Sequence, residues 1–248
     1  MTAPALAASR VAKRFGAVVA LDDVSLEVAP GECVALVGES GSGKSTLLRA
    51  FNGLTAVDEG TVAVAGVPVA GADLVALRRS LGFVPQDGGL LPHWTVARNA
   101  GLVPVLTGRA DAGAAAAEAL RQVGLDAGEF GRRWPHQLSG GQRQRVAFAR
   151  AIAAGARALL LDEPFGALDA ITRNDLQTMF VGLRAARGLA ALLVTHDLHE
   201  AFLLADRVAV MRAGRIEQLD APGRLMAEPA TPYVETLLAR ARIGGSQA

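Results

Sequence analysis

Apolar and polar residues alternate between positions 10 and 29, most cleanly in VSLEV at 24–28, until Pro30 and Gly31 break the pattern. A period of two describes a half-buried strand, and the proline–glycine pair a turn. CVALV at 33–37 is an uninterrupted apolar run, as expected of a strand covered on both faces. A glycine-rich loop separates it from a helical stretch at 44–52 that Gly53 can stop. TVAVAGVPV at 61–69 alternates again around Gly66 and Pro68, which predicts a hairpin. From about 90 to 140 the texture is helical and irregular, punctuated by Pro92, Pro104 and Pro135, and predicts an inserted helical subdomain. Residues 142–154 place Val146, Ala149, Ile152 and Ala153 on one helical stripe, with Arg143, Arg145 and Arg150 off it. Strand, helix and strand then follow at 158–162, 171–187 and 190–195, with a helix at 197–205 and a strand at 207–212. Ala213 and Gly214 turn the chain into 215–219, and a tail from 221 to 248 reads as short helices closing in a flexible GGSQA. Such alternation specifies an α/β fold with a mainly parallel core sheet, an N-terminal antiparallel β part and a helical insertion, in one domain spanning 1–248.

Composition narrows the picture. A chain of 248 residues can bury about 70–75% of its unfolded surface, so it needs no disulfide or structural metal. Hydrophobic residues make up 51% and charged residues 20%, which excludes intrinsic disorder, and at 4% aromatic the core must be built from Ala, Val and Leu. Twenty-five Lys and Arg against 24 Asp and Glu leave a net charge of +1, which argues against a nucleic-acid partner. The lone Cys33 lies in the apolar run and reads as a buried strand thiol. A mean hydropathy of +0.29 raises the question of a membrane span. The apolar runs, ALLL at 158–161 and LAALLV at 189–194, are far shorter than the ~20 residues required. The opening MTAPALAASR puts its first positive residue after the apolar stretch, the reverse of a secretory signal. A soluble, cytoplasmic chain is expected.

Three motifs carry chemistry. GESGSGKS at 38–45 fits G-x-x-x-x-G-K-[ST] between a buried strand and a helix. Gly38, Gly41 and Gly43 let the backbone wrap so that N–H groups face phosphate oxygens, and the helix beginning near Lys44 adds its positive end. Lys44 would reach the β- and γ-phosphates, and the Ser45 hydroxyl would ligate Mg²⁺. ALLLDEP at 158–164 delivers Asp162 and Glu163 to the carboxyl end of a buried strand, the edge where ligands bind in open α/β sheets. Asp162 can hold Mg²⁺, and Glu163 can orient or deprotonate a water for in-line attack on the γ-phosphate. LSGGQRQR at 138–145 begins a second helix with Ser139, Gly140 and Gly141. Taken alone, Ser139 is simply a helix cap. One triphosphate needs one cradle, however, and two on one chain imply half-sites completed by a second copy, head to tail.

With LSGGQ the chain resembles the ATP-binding cassette (ABC) family over nearly its whole length. The resemblance implies a P-loop NTPase fold of cassette type, ATP hydrolysis, and ATP with Mg²⁺ as cofactors. ATP-binding positions would be Phe15, stacking on adenine, and Gly38, Glu39, Ser40, Gly41, Ser42, Gly43, Lys44, Ser45 and Thr46. Ser139, Gly140, Gly141 and Gln142 would serve the partner copy's ATP, and Asp169 in GALD at 166–169 would cross the dimer interface. Gln86 in FVPQDGG matches the loop glutamine that senses Mg²⁺ and the γ-phosphate, giving Ser45, Gln86 and Asp162 as metal ligands. His196 in LLVTHD matches the switch histidine, so Glu163, His196 and Gln86 form the expected catalytic set. His93 and Trp94 lie where importers of the family receive a membrane subunit.

One nucleotide domain without spans implies a second ATPase subunit, separate membrane permease subunits and, indirectly, a substrate-binding protein, with the chain on the cytoplasmic face of the plasma membrane. QDGGLLPHWTVARNAGLVP at 86–104 and FGALDAITRNDLQ at 165–177 look like importers of quaternary-amine osmoprotectants such as glycine betaine, choline and proline betaine. An importer of another small solute, such as an amino acid or alkyl sulfonate, is the neighbouring reading. A non-transport cassette protein is disfavoured, because tandem cassettes, a charged linker and a long coiled coil between Lys44 and Ser139 are all lacking. Intact Lys44, Asp162, Glu163 and His196 oppose a catalytically dead cassette. Many members of the osmoprotectant subfamily continue into paired cystathionine-β-synthase domains that sense ionic strength. The sequence stops at Ala248, so osmotic gating by that route is not expected.

Overall fold

The computed structural model describes residues 3–244. In chain order the first elements are β1 (Leu6–Phe15), β2 (Val18–Val28), β3 (Cys33–Val37), α1 (Lys44–Phe51), β4 (Glu59–Val64) and β5 (Val67–Pro68). There follow α2 (Leu74–Ser80), β6 (Gly82–Val84), α3 (Val96–Ala100), α4 (Leu102–Leu106), α5 (Ala112–Gln122) and α6 (Ala127–Phe130). After a 3-10 turn at Pro135–Gln137 come α7 (Gly140–Ile152), β7 (Ala158–Asp162), α8 (Ala170–Arg187) and β8 (Ala190–Val194). The last are α9 (Leu198–Leu204), β9 (Arg207–Arg212), β10 (Arg215–Asp220), α10 (Pro222–Ala227) and α11 (Pro232–Gly244). The residues group into two compact units, Met1–Leu74 with Ala190–Ala248, and Val75–Leu189.

In the first unit β3 is buried at every position and pairs in parallel with β8 on one side and β9 on the other. A strand so enclosed has no polar face, which is why its sequence is an unbroken apolar run. Cys33 is fully buried there, as expected. β10 returns antiparallel along β9 through the Ala213–Gly214 turn. A separate antiparallel sheet has the order β2-β1-β4-β5. Its leading hairpin departs from the single alternating stretch expected at 10–29. The chain turns at Gly16, whose φ is 58°, and β1 starts upstream at Leu6. The β1–β2 register shifts between Ala8 and Val11, with Arg10 at a φ of 49°. A bulge reverses the parity of the side chains and hides the alternation.

In the second unit β6 and β7 pair in parallel. Every regular element between Val96 and Gln137 is helical. Pro104 is tolerated in α4 because it falls in the first turn, where a missing N–H breaks no helical bond. The core of this unit holds Phe148, Phe165 and Phe180 with ring centroids 6.0–6.2 Å apart. On α7, Val146, Ala149 and Ile152 are fully buried, as the stripe predicted. α2 was not expected from the pattern. The closing GGSQA lies outside the described residues except for Gly244, as do Met1 and Thr2.

Candidate active site

The first unit carries the phosphate loop between β3 and α1. Gly38, Gly41 and Gly43 have φ values of 147°, 80° and 103°, a region that L side chains rarely occupy. Two of them also lack room: a Cβ would lie 2.1 Å from the Met211 carbonyl oxygen at Gly38 and 2.4 Å from that of Ala20 at Gly43. The loop thus lies directly on the β9–β10 hairpin and on β2. The Gly214 N–H donates to the Ser42 carbonyl at 3.1 Å. Lys44 is buried, and its Nζ donates to the carbonyls of Gly38 (2.8 Å) and Glu39 (2.9 Å) and to Ser42 Oγ (3.3 Å). A cation at the centre of a loop of main-chain donors, next to a helix N-terminus, fits a polyphosphate. Ser45 and Thr46 sit half-buried on the first turn of α1, while Glu39 and Ser40 are exposed. His196 follows β8, whose Val194 registers with Leu36 of β3, so the histidine and the loop leave the same sheet edge. It is exposed. Phe15 ends β1, 54% exposed, with Lys13 Nζ 5.2 Å from its ring centre.

The second unit carries the carboxylates. Val84 registers with Leu161, so Gln86 and the Asp162–Glu163 pair emerge from adjacent strand ends. Gln86 Nε2 donates to Glu163 Oε2 at 3.2 Å. Asp162 is buried at 8% exposure. Glu163 has a φ of 48°, a left-handed conformation that costs a non-glycine residue about 1–3 kcal/mol. Among the described residues no three His, Cys, Asp or Glu side chains gather as a metal site. Mg²⁺ at nucleotide sites relies instead on phosphate oxygens, water and one or two protein oxygens. Ser45, Gln86 and Asp162 are donors of that kind.

α7 starts with a full capping box. Ser139 Oγ accepts from the Gln142 N–H at 3.2 Å, and Gln142 Oε1 accepts from the Ser139 N–H at 3.0 Å. The cap reading of Ser139 is therefore correct, and it leaves the residue exposed at the positive end of a 13-residue helix. Gly140 and Gly141 bring this end against Leu168 and Thr172, where a Cβ on Gly141 would lie 2.3 Å from Thr172 Cγ2. Asp169 caps α8, accepting from the Thr172 N–H at 3.0 Å. Hydrogen bonds from the Thr172 side chain and backbone hold the Asp169 carboxyl below its ordinary pKa. The LSGGQ residues Ser139, Gly140, Gly141 and Gln142, the family signature, thus form one cluster with Asp169.

His93 lies edge-on to Trp94 at 6.2 Å, and the Arg98 guanidinium stacks 4.1 Å from the Trp94 ring centre. The sequence pattern gives Gln144 no role and places Arg150 only off the apolar stripe of α7. Gln144 is 6% exposed and donates to the Pro164 and Gln86 carbonyls at 2.7 and 3.3 Å. Arg150 donates to the carbonyls of Gly89 (2.6 Å) and Gly88 (2.9 Å), and burial lowers its pKa. One signal was available: Gln144 lies four residues before Phe148, on the buried side of α7.

Comparison with known proteins accords with this geometry. The model of the ABC transporter family matches residues 21–166. The sulfate/thiosulfate import ATP-binding protein CysA of Nocardia farcinica (strain IFM 10152) is 47% identical over 236 residues, 94% of this chain and 70% of that protein. The glycine betaine uptake system ATP-binding protein YehX of Escherichia coli (strain K12) is 41% identical over 238 residues, covering 95% and 77%. The dimeric structure of MJ0796, a bacterial ABC transporter cassette, has a TM-score of 0.79 at 32% identity over 88% of this chain and 98% of that one. MJ0796 is also similar, at a TM-score of 0.78, in a post-hydrolysis state bound to ADP and Pi. The chain belongs to the ABC transporter family, with its cassette fold, and is an ATP hydrolase.

Proposed function

We propose that the chain is the ATP-hydrolysing subunit of an importer, acting as a head-to-tail pair beneath separate permease subunits and taking up a quaternary amine such as glycine betaine. The observation that carries the hydrolytic part is the Gln86–Glu163 pair at 3.2 Å on adjacent strand ends. It supports Glu163 as the carboxylate that orients and deprotonates the attacking water. Lys44 and the loop amides hold the phosphates, and Phe15 stacks on the adenine. Ser45, Gln86 and Asp162 are the residues that would hold Mg²⁺, which would supply charge neutralisation at the phosphates. His196 contacts the γ-phosphate. Ser139, Gly140, Gly141 and Gln142 bind the ATP of the second copy, and Asp169 faces the interface. Among the described residues no helix is long and apolar enough to cross a membrane. Attachment at the cytoplasmic face runs through the permease, as the import ATP-binding relatives suggest, with His93 and Trp94 as contact residues.

The solute assignment is supported by the osmoprotectant-like segments at 86–104 and 165–177 and by the glycine betaine uptake relative. A specific observation favours a second reading: the sulfate/thiosulfate relative is 47% identical. The two solutes differ in the sign of their charge, and one experiment separates them. The chain is reconstituted in proteoliposomes with its permease and binding protein, and ATPase is measured with betaine or sulfate. Stimulation by betaine is expected, while stimulation by sulfate alone replaces the solute and leaves the hydrolase standing. A quaternary ammonium is recognised by an aromatic cage. The isolated chain, at 4% aromatic, should show no betaine binding by calorimetry.

A further inference from the structure

We infer that Gln144 is a positioning residue for hydrolysis, an inference that rests on the proposed role of Glu163. One side-chain amide on α7 ties together two loops that carry the reacting groups. Its Nε2 donates 2.7 Å to the carbonyl of Pro164, the residue after Glu163, and 3.3 Å to the carbonyl of Gln86 itself. These partners lie 20 and 58 residues away in sequence. The clamp spans the two residues whose side chains meet at 3.2 Å. It also sits directly beyond a left-handed Glu163, at φ 48°, a conformation that persists only where its surroundings over-determine it. Phe148, one turn along α7, adds a second anchor by stacking on buried Phe165 at 6.1 Å.

The geometry assigns Gln144 a donor's role. Its Oε1 is buried and has no hydrogen-bond partner, a cost of about 1–3 kcal/mol that an apolar side chain of similar size would avoid. A Cβ on Gly88 would lie 2.7 Å from that oxygen, so the glutamine loop packs closely on the amide. An unsatisfied acceptor beside two satisfied carbonyls is the pattern of a residue set by position rather than by stability. Because α7 also begins at Ser139, the clamp joins signature, glutamine loop and catalytic carboxylate through one helix.

The test compares Gln144→Met, which keeps volume and deletes the donor, with Gln144→His, which keeps a ring N–H at similar reach, in the full chain. Turnover at saturating ATP, KM for ATP and thermal midpoint are measured together. The Met variant should lose about tenfold in kcat, the effect of one hydrogen bond on the barrier, with KM within twofold of the wild type. The His variant should recover most of the loss. Should the Met variant fail to fold, Gln144→Asn, whose amide is one methylene short of Pro164, carries the same expectation. Wild-type kcat without the donor overturns the inference. So does an equal loss in the donor-bearing and donor-less variants that follows the thermal midpoint. Glu163→Gln is run in parallel: normal turnover there removes the parent reading, whereas an inactive Glu163→Gln beside fully active Gln144 variants removes only the role of Gln144.

Discussion

Replacing Gly141 by alanine perturbs the junction on which the signature cluster rests. Its new Cβ would lie 2.3 Å from Thr172 Cγ2, more than 1 Å inside ordinary carbon–carbon contact at about 3.5–4.0 Å. Thr172 cannot rotate away cheaply. Its hydroxyl hydrogen-bonds the Asp169 carboxylate, and turning χ1 to move the methyl would break that bond. Overpacking of this kind costs about 1–3 kcal/mol, and the gain in helix propensity from glycine to alanine returns up to about 1 kcal/mol. The net loss of about 1–2 kcal/mol should lower Tm by about 2–8 °C for a chain of this size. Because the clash parts the α7 start from the α8 cap, ATPase should fall more than nucleotide affinity does. Thr172→Ser removes only the offending methyl and keeps the hydroxyl and N–H. In the double variant it should restore most of the lost Tm and turnover. The checks are thermal unfolding by circular dichroism and a phosphate-release assay on the four proteins. Wild-type Tm in Gly141→Ala, or a double variant no better than the single one, refutes the steric reasoning.

Ser139→Arg should abolish hydrolysis while a fluorescent ATP analogue still binds the monomer, since the residue serves the partner's nucleotide; loss of monomer binding contradicts the head-to-tail arrangement. The Asp58 carboxyl is held below its usual value of 3.8 by hydrogen bonds from the Lys13 ammonium and the Arg14 N–H. Its folded pKa being the lower one, the stabilisation is present above the unfolded value and is lost as pH falls through the folded one. Asp58→Asn should therefore flatten the decline of the urea midpoint below about pH 4, and an unchanged acid limb counts against the pairing.

The parts of the site legible in sequence are those built from contiguous residues. The buried run at Cys33–Val37, the glycines after it and the α1 start dictate one another locally. The same holds for Ser139 with Gln142, and for Asp169 with Thr172, three residues apart in each case. What stayed hidden depends on long-range pairing. The β1–β2 hairpin is masked by its bulge. Gln144 stands between arginines, as a solvated residue would, and finds its acceptors only after the β6 and β7 ends are brought together. The left-handed backbone at Glu163 has no signature in a residue type that ordinarily avoids it.

The central claim is that Glu163 drives hydrolysis and does not hold the nucleotide. Steady-state phosphate release by Glu163→Gln at saturating ATP, with ATP affinity measured on the same sample, tests it most directly. Glutamine keeps an oxygen to accept from Gln86 Nε2, now at 3.2 Å from Glu163, and removes the base. Turnover should fall by about 100-fold or more, with ATP affinity unchanged and an ATP-bound dimer trapped on size-exclusion chromatography. Near-wild-type phosphate release, or hydrolysis lost only in step with ATP affinity, would contradict the account.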